Sequence, residues 1–502
     1  MEKRQEVLLG IDIGTSGCKI AAFGLDGTAV AQCTEAYPTR YPAPGCVEQS
    51  ALDWWAAVCR GIRRLIGEGG LRAEHIIGIG VAGQSWAALP VDASGEPLRD
   101  AMIWLDARSG PQLERLRREV GEERIFALSG NPLAVGYTTG KLLWLMEHEP
   151  EIYRRTHKFI QSNSFIVQRL TGAFTHDVSQ GYGVHAFDVK RCRWDDEMCG
   201  AMGIDPRKLA PLAGCGDIVG VVSARAAAET GLAAGTPVAA GGLDAACGTL
   251  GAGVMQPGET QEQGGQAGGM SIALDAALAH PRLILGCHVV PGRWLLQGGT
   301  VGGGSLNWLR REFGGGGDDW FAELNREAEL TPPGAGGLLF LPYMAGERSP
   351  LWDEHARGTL IGLAYDKTRG AVARAMMEGC AFALRHNLLT AEEAGAGVTH
   401  LVSMGGAANS RLWSQIKADV TGKPIRVPAA TDLATTLGAA MLAGVGGGWY
   451  ADFEEAIRCT RGALLTFEPH PAAHSYYCER YELYREAYDR LQTLYPRLGG
   501  AQ

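Results

Sequence analysis

A run of five residues, Asp12-Ile13-Gly14-Thr15-Ser16, followed by Gly17-Cys18-Lys19, constrains this chain more than any other stretch. The apolar run Val7-Leu8-Leu9-Gly10-Ile11 precedes it, and Ile20-Ala21-Ala22-Phe23-Gly24-Leu25-Asp26-Gly27 follows. This pattern predicts a buried strand, a tight turn rich in hydroxyls and glycine, and a second strand closing on an Asp-Gly turn. Glycine lets a backbone approach a bulky anion, and unpaired N–H groups in such a turn make an anion-binding nest. Thr15 and Ser16 add hydroxyl donors, Lys19 adds a positive charge, and Asp12 at the strand end suits a hydrated magnesium ion. A surface hairpin with no ligand fits the same residues.

The chain has 502 residues. A single core rarely grows past ~250–300 residues, so two domains are expected, 1–250 and 251–502. The net charge of −9 argues against non-specific nucleic-acid binding and against attraction to anionic membranes. An anionic ligand must then be held by local donors. The 12 cysteines contain no Cys-x-x-Cys pair and no zinc-like spacing, which points to reduced, scattered thiols. Residues 1–6 carry no apolar signal region, and no apolar stretch reaches the ~20 residues of a membrane span. The expectation is a soluble, cytoplasmic protein.

Apolar strands alternate with amphipathic helices, the mark of α/β architecture. Residues 53–66 predict a helix with Trp54, Trp55, Val58, Ile62 and Leu65 on one face. Residues 76–81 predict a buried strand ending in a turn at Ala82-Gly83-Gln84-Ser85, and helices follow over 111–119, 141–148 and 164–170. A strand over 236–242 leads to a turn at Leu243-Asp244, then to a small-residue helix, 245–253, suited to very close packing. A second strand–turn–strand over 260–275 echoes the first. Gly14-Thr15-Ser16-Gly17 overlays Gly265-Gln266-Ala267-Gly268, at a spacing of ~250 residues that suggests duplicated domains rather than a solenoid. The Tyr-rich tail, 476–494, predicts a packing helix.

The first pentad resembles the first phosphate motif of the actin–hexokinase superfamily, and four further segments narrow that resemblance to a family. Gly136-Tyr137-Thr138-Thr139-Gly140-Lys141-Leu142-Leu143-Trp144 is similar to the first signature of the FGGY carbohydrate kinases. Gly358-Thr359-Leu360-Ile361-Gly362-Leu363 through Glu378 resembles the second, departing at Ala371. Phe340-Leu341-Pro342-Tyr343-Met344-Ala345-Gly346-Glu347-Arg348-Ser349-Pro350 resembles the family's cleft-side loop. Met404-Gly405-Gly406-Ala407-Ala408-Asn409-Ser410 resembles its adenosine-binding turn. Each segment alone also reads as ordinary packing or a turn; the set, in order over residues 7–445, is specific.

The resemblance implies two ribonuclease-H-like domains with an interdomain cleft, and a kinase using ATP and Mg²⁺. It places the catalytic base at Asp244, although an aspartate after Gly-Gly also suits a helix cap. It places Asp12 at the magnesium and Gly14, Thr15, Ser16 and Lys19 near the phosphates. Gly265, Gln266, Gly303 and Asn307 would line the nucleotide, with Gly405, Gly406 and Ser410 at adenine and ribose. Gln84, Ser85, Trp86, Trp104, Asp106 and Asp244 would hold the sugar, whose C–H face suits an aromatic ring.

Three departures stand out. The second phosphate hairpin carries Gln266-Ala267 where relatives have hydroxyl residues. Ser85-Trp86 replaces the Met-His usual in xylulokinases, and Ala245 replaces the Asn that follows the base. The nearest similarity is still to the xylulokinase-like branch. The expected activity is transfer of the γ-phosphate of ATP to a primary hydroxyl of a small open-chain sugar, a ketopentose such as D-xylulose. Another pentulose, a polyol such as erythritol or glycerol, or a sugar acid are the alternatives, and a non-catalytic sugar or nucleotide sensor a more distant one. An actin-like filament or chaperone ATPase shares the fold but lacks the signatures. Relatives are commonly homodimers.

Overall fold

The computed structural model describes residues 6–265, 267–301, 303–314, 317, 319–429 and 432–498. Its first sheet begins with β1 (Val7–Ile13), β2 (Gly17–Gly24) and β3 (Ala29–Ala36), an antiparallel meander. Next in the chain is α1 (Ala51–Gly67), whose Trp54, Trp55, Val58, Ile62 and Leu65 are buried as the periodicity predicts. Strand β4 (Ile76–Gly83) then pairs parallel to β1, so the antiparallel meander gives way to a crossover. Helices α2 (Thr138–His148) and α3 (Ser162–Thr171) precede β5 (Ile218–Val221), β6 (Pro237–Ala239), β7 (Gly242–Leu243) and α4 (Asp244–Gly251). Across the sheet the strands run β5-β6-β4-β1-β2-β3, with β7 also paired to β4.

Strand β1 is apolar almost throughout because both of its faces are covered. Val7, Leu9, Ile11 and Ile13 face one core with Trp54, Val58 and Ile62 of α1. Leu8 belongs to a different core, so by alternation Gly10 and Asp12 share its face.

The second sheet repeats the plan. It is built from β8 (Glu259–Gly264), β9 (Ala267–Leu274), β10 (Ile284–Cys287), β11 (Trp294–Val301), β12 (His400–Met404), β13 (Ile425–Pro428) and β14 (Leu464–Phe467). Their order is β10-β11-β9-β8-β12-β13-β14. The hairpin β8–β9 is antiparallel and β12 lies parallel to β8, as β4 lies parallel to β1. The weak sequence echo between the two glycine turns is therefore an echo of topology. The second half also contributes the helices α5 (Gly304–Phe313), the long α6 (Arg369–Glu393), α7 (Arg411–Thr421), α8 (Ala434–Gly446) and α9 (Pro471–Leu491).

Helix α8 belongs to the second half in sequence but packs on β1, β4 and α4 of the first. Glycines make this possible. A Cβ on Gly438 would fall 1.8 Å from the Cys247 carbonyl oxygen, and one on Gly80 would fall 1.8 Å from the Ala439 oxygen. Backbone thus rests on backbone, which is why the segment after Asp244 is built of small residues. In α9, Tyr477, Tyr481, Tyr484 and Tyr488 are buried in one stripe, with Tyr477 bonding Glu378 at 2.7 Å. Among the described residues no helix is long and apolar enough to cross a membrane.

Candidate active site

The β1–β2 turn is held from behind. Its Gly14 carbonyl accepts from Tyr37 Oη and, at 3.5 Å, from Gln84 Nε2; the Thr15 carbonyl accepts from Gln49 Nε2 at 2.6 Å. Gln49 and Gln84 are themselves linked at 2.8 Å. Carbonyls are anchored while, among the described residues, the N–H groups of Thr15 and Ser16 make no hydrogen bond. Trp104 Nε1 donates to Thr15 Oγ1 at 3.0 Å, tying the turn to the neighbouring Trp104–Arg108 segment.

Register aligns Asp12 of β1 with Ala82 of β4, and Ala82 with Gly242 of β7. Two residues beyond Gly242 stands Asp244, the first residue of α4. Its Oδ1 accepts the Ala245 N–H at 2.6 Å, but the residue preceding the helix is Leu243 and no side chain caps it, so Asp244 is not the capping residue the sequence also allowed. Burial pushes Asp244 up to about 6 against the pull of that N–H. Asp12 is pushed up to about 7, first by burial and then by the charge of Asp244, with Lys19 pulling it down. Asp12 Oδ1 is buried without a hydrogen-bond partner. Lys19 lies opposite Asp12 across the hairpin, and its Nζ donates to the Asp432 carbonyl of the second half at 3.0 Å.

Two desolvated carboxylates with an orphaned oxygen make a site short of positive charge. Among the described residues no group of three or more His, Cys, Asp or Glu side chains is placed to hold a metal. A pair of this kind fits Mg²⁺, which keeps most of its waters and needs only one or two carboxylates beside substrate phosphates.

Beyond β4 the chain turns through Gln84, Ser85 and Trp86. Gln84 is buried and its Oε1 has no partner, while Ser85 is half-buried. Trp86 adopts φ 59°, a left-handed conformation unusual for a bulky residue. Its ring stacks on Tyr137 with centroids 4.2 Å apart and meets Tyr182 edge-on at 5.9 Å. The carbonyl of Trp86 accepts from Lys141 Nζ at 2.7 Å, and a second bond of 2.7 Å joins that nitrogen to Gly136. Lys141 is fully buried, and burial lowers it to about 7. Trp104 is half-buried, with the Arg348 guanidinium 5.6 Å above its ring. Asp106 sits apart. It is fully buried, bonded to the Val47 N–H at 2.7 Å and to Arg108 Nη2 at 2.7 Å, so its carboxylate organises the loop that carries Trp104.

In the second half three glycines converge. Gly303 N–H donates to the Gly265 carbonyl at 2.6 Å. Gly405, at φ 78°, lies so near that a Cβ there would fall 3.1 Å from the Gly264 carbonyl carbon. Gly406 next to it borders open space. Ser410 Oγ accepts the Trp413 N–H at 3.1 Å as the cap of α7 and donates to Asn325 Oδ1 at 2.6 Å. Asn307 is exposed on α5. Gln266 lies outside the described residues.

Residues 7–251 match the N-terminal domain of the FGGY family of carbohydrate kinases, and residues 278–447 match its C-terminal domain. The chain belongs to the FGGY carbohydrate kinase family. It is 31% identical to xylulose kinase of Bacillus subtilis, over 97% of each chain. It is 32% identical to xylulose kinase of Staphylococcus epidermidis, over 98% of each. The crystal structure of xylulose kinase from Rhodospirillum rubrum superposes with a TM-score of 0.88 at 30% identity, covering 98% of this chain and 100% of that one.

This FGGY kinase contains site features that sequence reasoning quoted without assigning. Lys141 lies in the first signature, but its spacing reads as one face of a helix, and only the fold shows its ammonium between two carbonyls. Arg348 lies in the cleft-side loop, and its approach to Trp104 joins positions 244 residues apart. Gln49 gave no sequence signal at all.

Proposed function

We propose that this kinase transfers the γ-phosphoryl group of ATP to a primary hydroxyl of a small open-chain sugar, with D-xylulose as the substrate. The observation that carries the chemistry is the pair of buried carboxylates Asp12 and Asp244, the charge of Asp244 raising Asp12. The relatives named xylulose kinase supply the sugar. In this reading residues 1–250 bind the sugar and residues 251–502 the nucleotide.

Asp244 is the general base. A carboxylate held at about 6 is ionised at neutral pH yet basic enough to take a hydroxyl proton as the oxygen attacks. Asp12 holds hydrated Mg²⁺, which neutralises charge on the triphosphate. The free N–H groups of Thr15 and Ser16, with Lys19, meet the phosphates from one side. Gly265, Gly303 and Gly405 meet them from the other by backbone, with Gly406, Ser410 and Asn307 toward the nucleoside. Gln84, Ser85, Trp86 and Trp104 shape the sugar pocket, positioned by Asp106. The bond from Trp104 to Thr15 lets sugar and phosphate sites sense one another.

One observation favours a second reading. Arg348 presents a guanidinium beside Trp104, where it can pair a carboxylate on a sugar acid. The test is ADP release with ATP and Mg²⁺ across ketopentoses, polyols and keto-sugar acids. D-xylulose giving kcat/KM of ~10⁴ M⁻¹s⁻¹ or more supports the proposal. A sugar acid exceeding it would transfer the assignment to the Arg348 reading.

A further inference from the structure

Two thiols from opposite halves of the chain meet where the edge of the second sheet docks on the first half. Cys192 Sγ and Cys287 Sγ lie 3.3 Å apart although 95 positions separate them in sequence. We propose that these two cysteines are a modification site, forming a reversible disulfide that staples the two halves when the enzyme meets a peroxide.

The surroundings are built to hold the pair. Cys287 ends β10, the edge strand of the second sheet, and is buried. Cys192 occupies the turn between two short strands, Phe187–Asp188 and Arg193–Trp194, and is partly exposed. That turn is fixed by Asp188 Oδ1, which accepts the N–H groups of Lys190 and Arg191 at 3.1 Å each. Cys192 itself sits at φ 51°, a conformation the turn imposes and which directs its side chain. The Val189 carbonyl anchors the junction by accepting Trp294 Nε1 of the second sheet at 2.8 Å. Asn131 of the first half exchanges two bonds with Leu285 of β10, at 2.8 and 2.9 Å. The halves are thus already docked here, and bond formation needs the two sulfurs to close by only ~1 Å.

Reactivity is divided between the partners. The hydrogen bond from Cys287 lowers the Cys192 thiol against partial burial and the charge of Asp188, while the same bond and burial raise Cys287. Cys192 is therefore the attacking sulfur and Cys287 the resolving one. The Cys192 thiolate displaces hydroxide from hydrogen peroxide, giving a sulfenic acid, and the hydroxide takes a proton to become water. Cys287 sulfur then attacks Cys192 sulfur, the S–O bond breaks, and the departing oxygen leaves as a second water with the Cys287 proton. Two thiols lose two electrons and one peroxide gains them. The 3.3 Å separation lies within the ~3–3.5 Å of a near-attack arrangement.

The test treats the full-length protein with near-stoichiometric hydrogen peroxide, alkylates with iodoacetamide, digests, and reads peptides by mass spectrometry. The expected product is a peptide pair linked through Cys192 and Cys287, released by dithiothreitol and absent from C192S and C287S. Closing so long a loop restricts the unfolded chain, so oxidation should also raise the melting temperature by a few degrees in wild type alone. Three results would overturn the proposal: both cysteines alkylated after peroxide, Cys192 driven to sulfinic acid with Cys287 alkylated, or a linked protein that melts lower. Turnover of C192S with ATP and sugar serves as the check that the variant is folded.

Discussion

Asp12 and Asp244 place opposed demands on the same few ångströms. The proposed chemistry needs both ionised at neutral pH, and burial opposes both charges. The folded chain holds Asp12 at about 7, whereas an unfolded carboxylate titrates near ~4. The folded state therefore binds an extra proton in between, so the stability linked to Asp12 is full below ~4 and is lost as pH rises through about 7. Asp12→Asn should accordingly be more stable than wild type at pH 8, by ~1–3 kcal/mol in urea unfolding, while losing activity. Mg²⁺ should raise the melting temperature of wild type at pH 8 and leave Asp12→Asn unmoved. Asp244→Asn should lower kcat by ~10²–10⁴ with ADP affinity preserved in calorimetry; equal loss of both would make Asp244 structural. In wild type, kcat/KM should fall as pH drops below about 6, where Asp244 takes up its proton. Lys141 acts one step back, since its ammonium holds the Trp86 carbonyl in a strained turn. Lys141→Met should raise the sugar KM by ~10-fold or more, with a smaller change in kcat and none in ADP affinity.

At the scale of elements, the crossing of α4 and α8 decides how the halves meet. A methyl group on Gly438 would enter the Cys247 carbonyl, and rigid backbone cannot yield as a side chain would. Gly438→Ala should therefore cost ~3 kcal/mol or more in chemical denaturation. Gly200 provides the contrast, because it lies within the short helix Asp196–Met202 and a Cβ there meets nothing within 4 Å. Gly200→Ala should stabilise by ~0.5–1 kcal/mol through helix propensity alone. One substitution type thus gives opposite signs at two helical glycines. The small-residue run after Asp244 announced close packing from sequence, but not that the partner would be a helix nearly two hundred residues later. The tyrosines of α9 were legible for a different reason, as their i, i+4, i+7 spacing is a property of one segment.

For the molecule as a whole, two polar contacts tie the phosphate turn and the Trp104 loop to the second half: Lys19 on the Asp432 carbonyl and Arg348 over Trp104. Single polar contacts at these two loops can break and re-form as a cleft closes on substrate and expels water. ATP hydrolysis without sugar should be far slower than phosphoryl transfer with it, measured as ADP release in parallel reactions. Comparable rates would remove water exclusion from the mechanism.

The amino-acid order alone determined the two glycine hairpins, the alternation of strand and helix, the duplicated plan and the family, because each rests on local periodicity or on a contiguous motif. It also singled out Asp12 and Asp244, which stand at a strand end and a helix start. Tertiary structure decided what is set by distance through space. It buried Asp12 and Asp244 together, so that the charge of Asp244 raises the cost of charge on Asp12. It enclosed Lys141 between two carbonyls, turned Asp106 onto the Val47 N–H, laid α8 on the opposite sheet, and set Cys192 against Cys287. None of these pairings has a sequence period, since each joins segments whose separation is fixed only when the sheets pack.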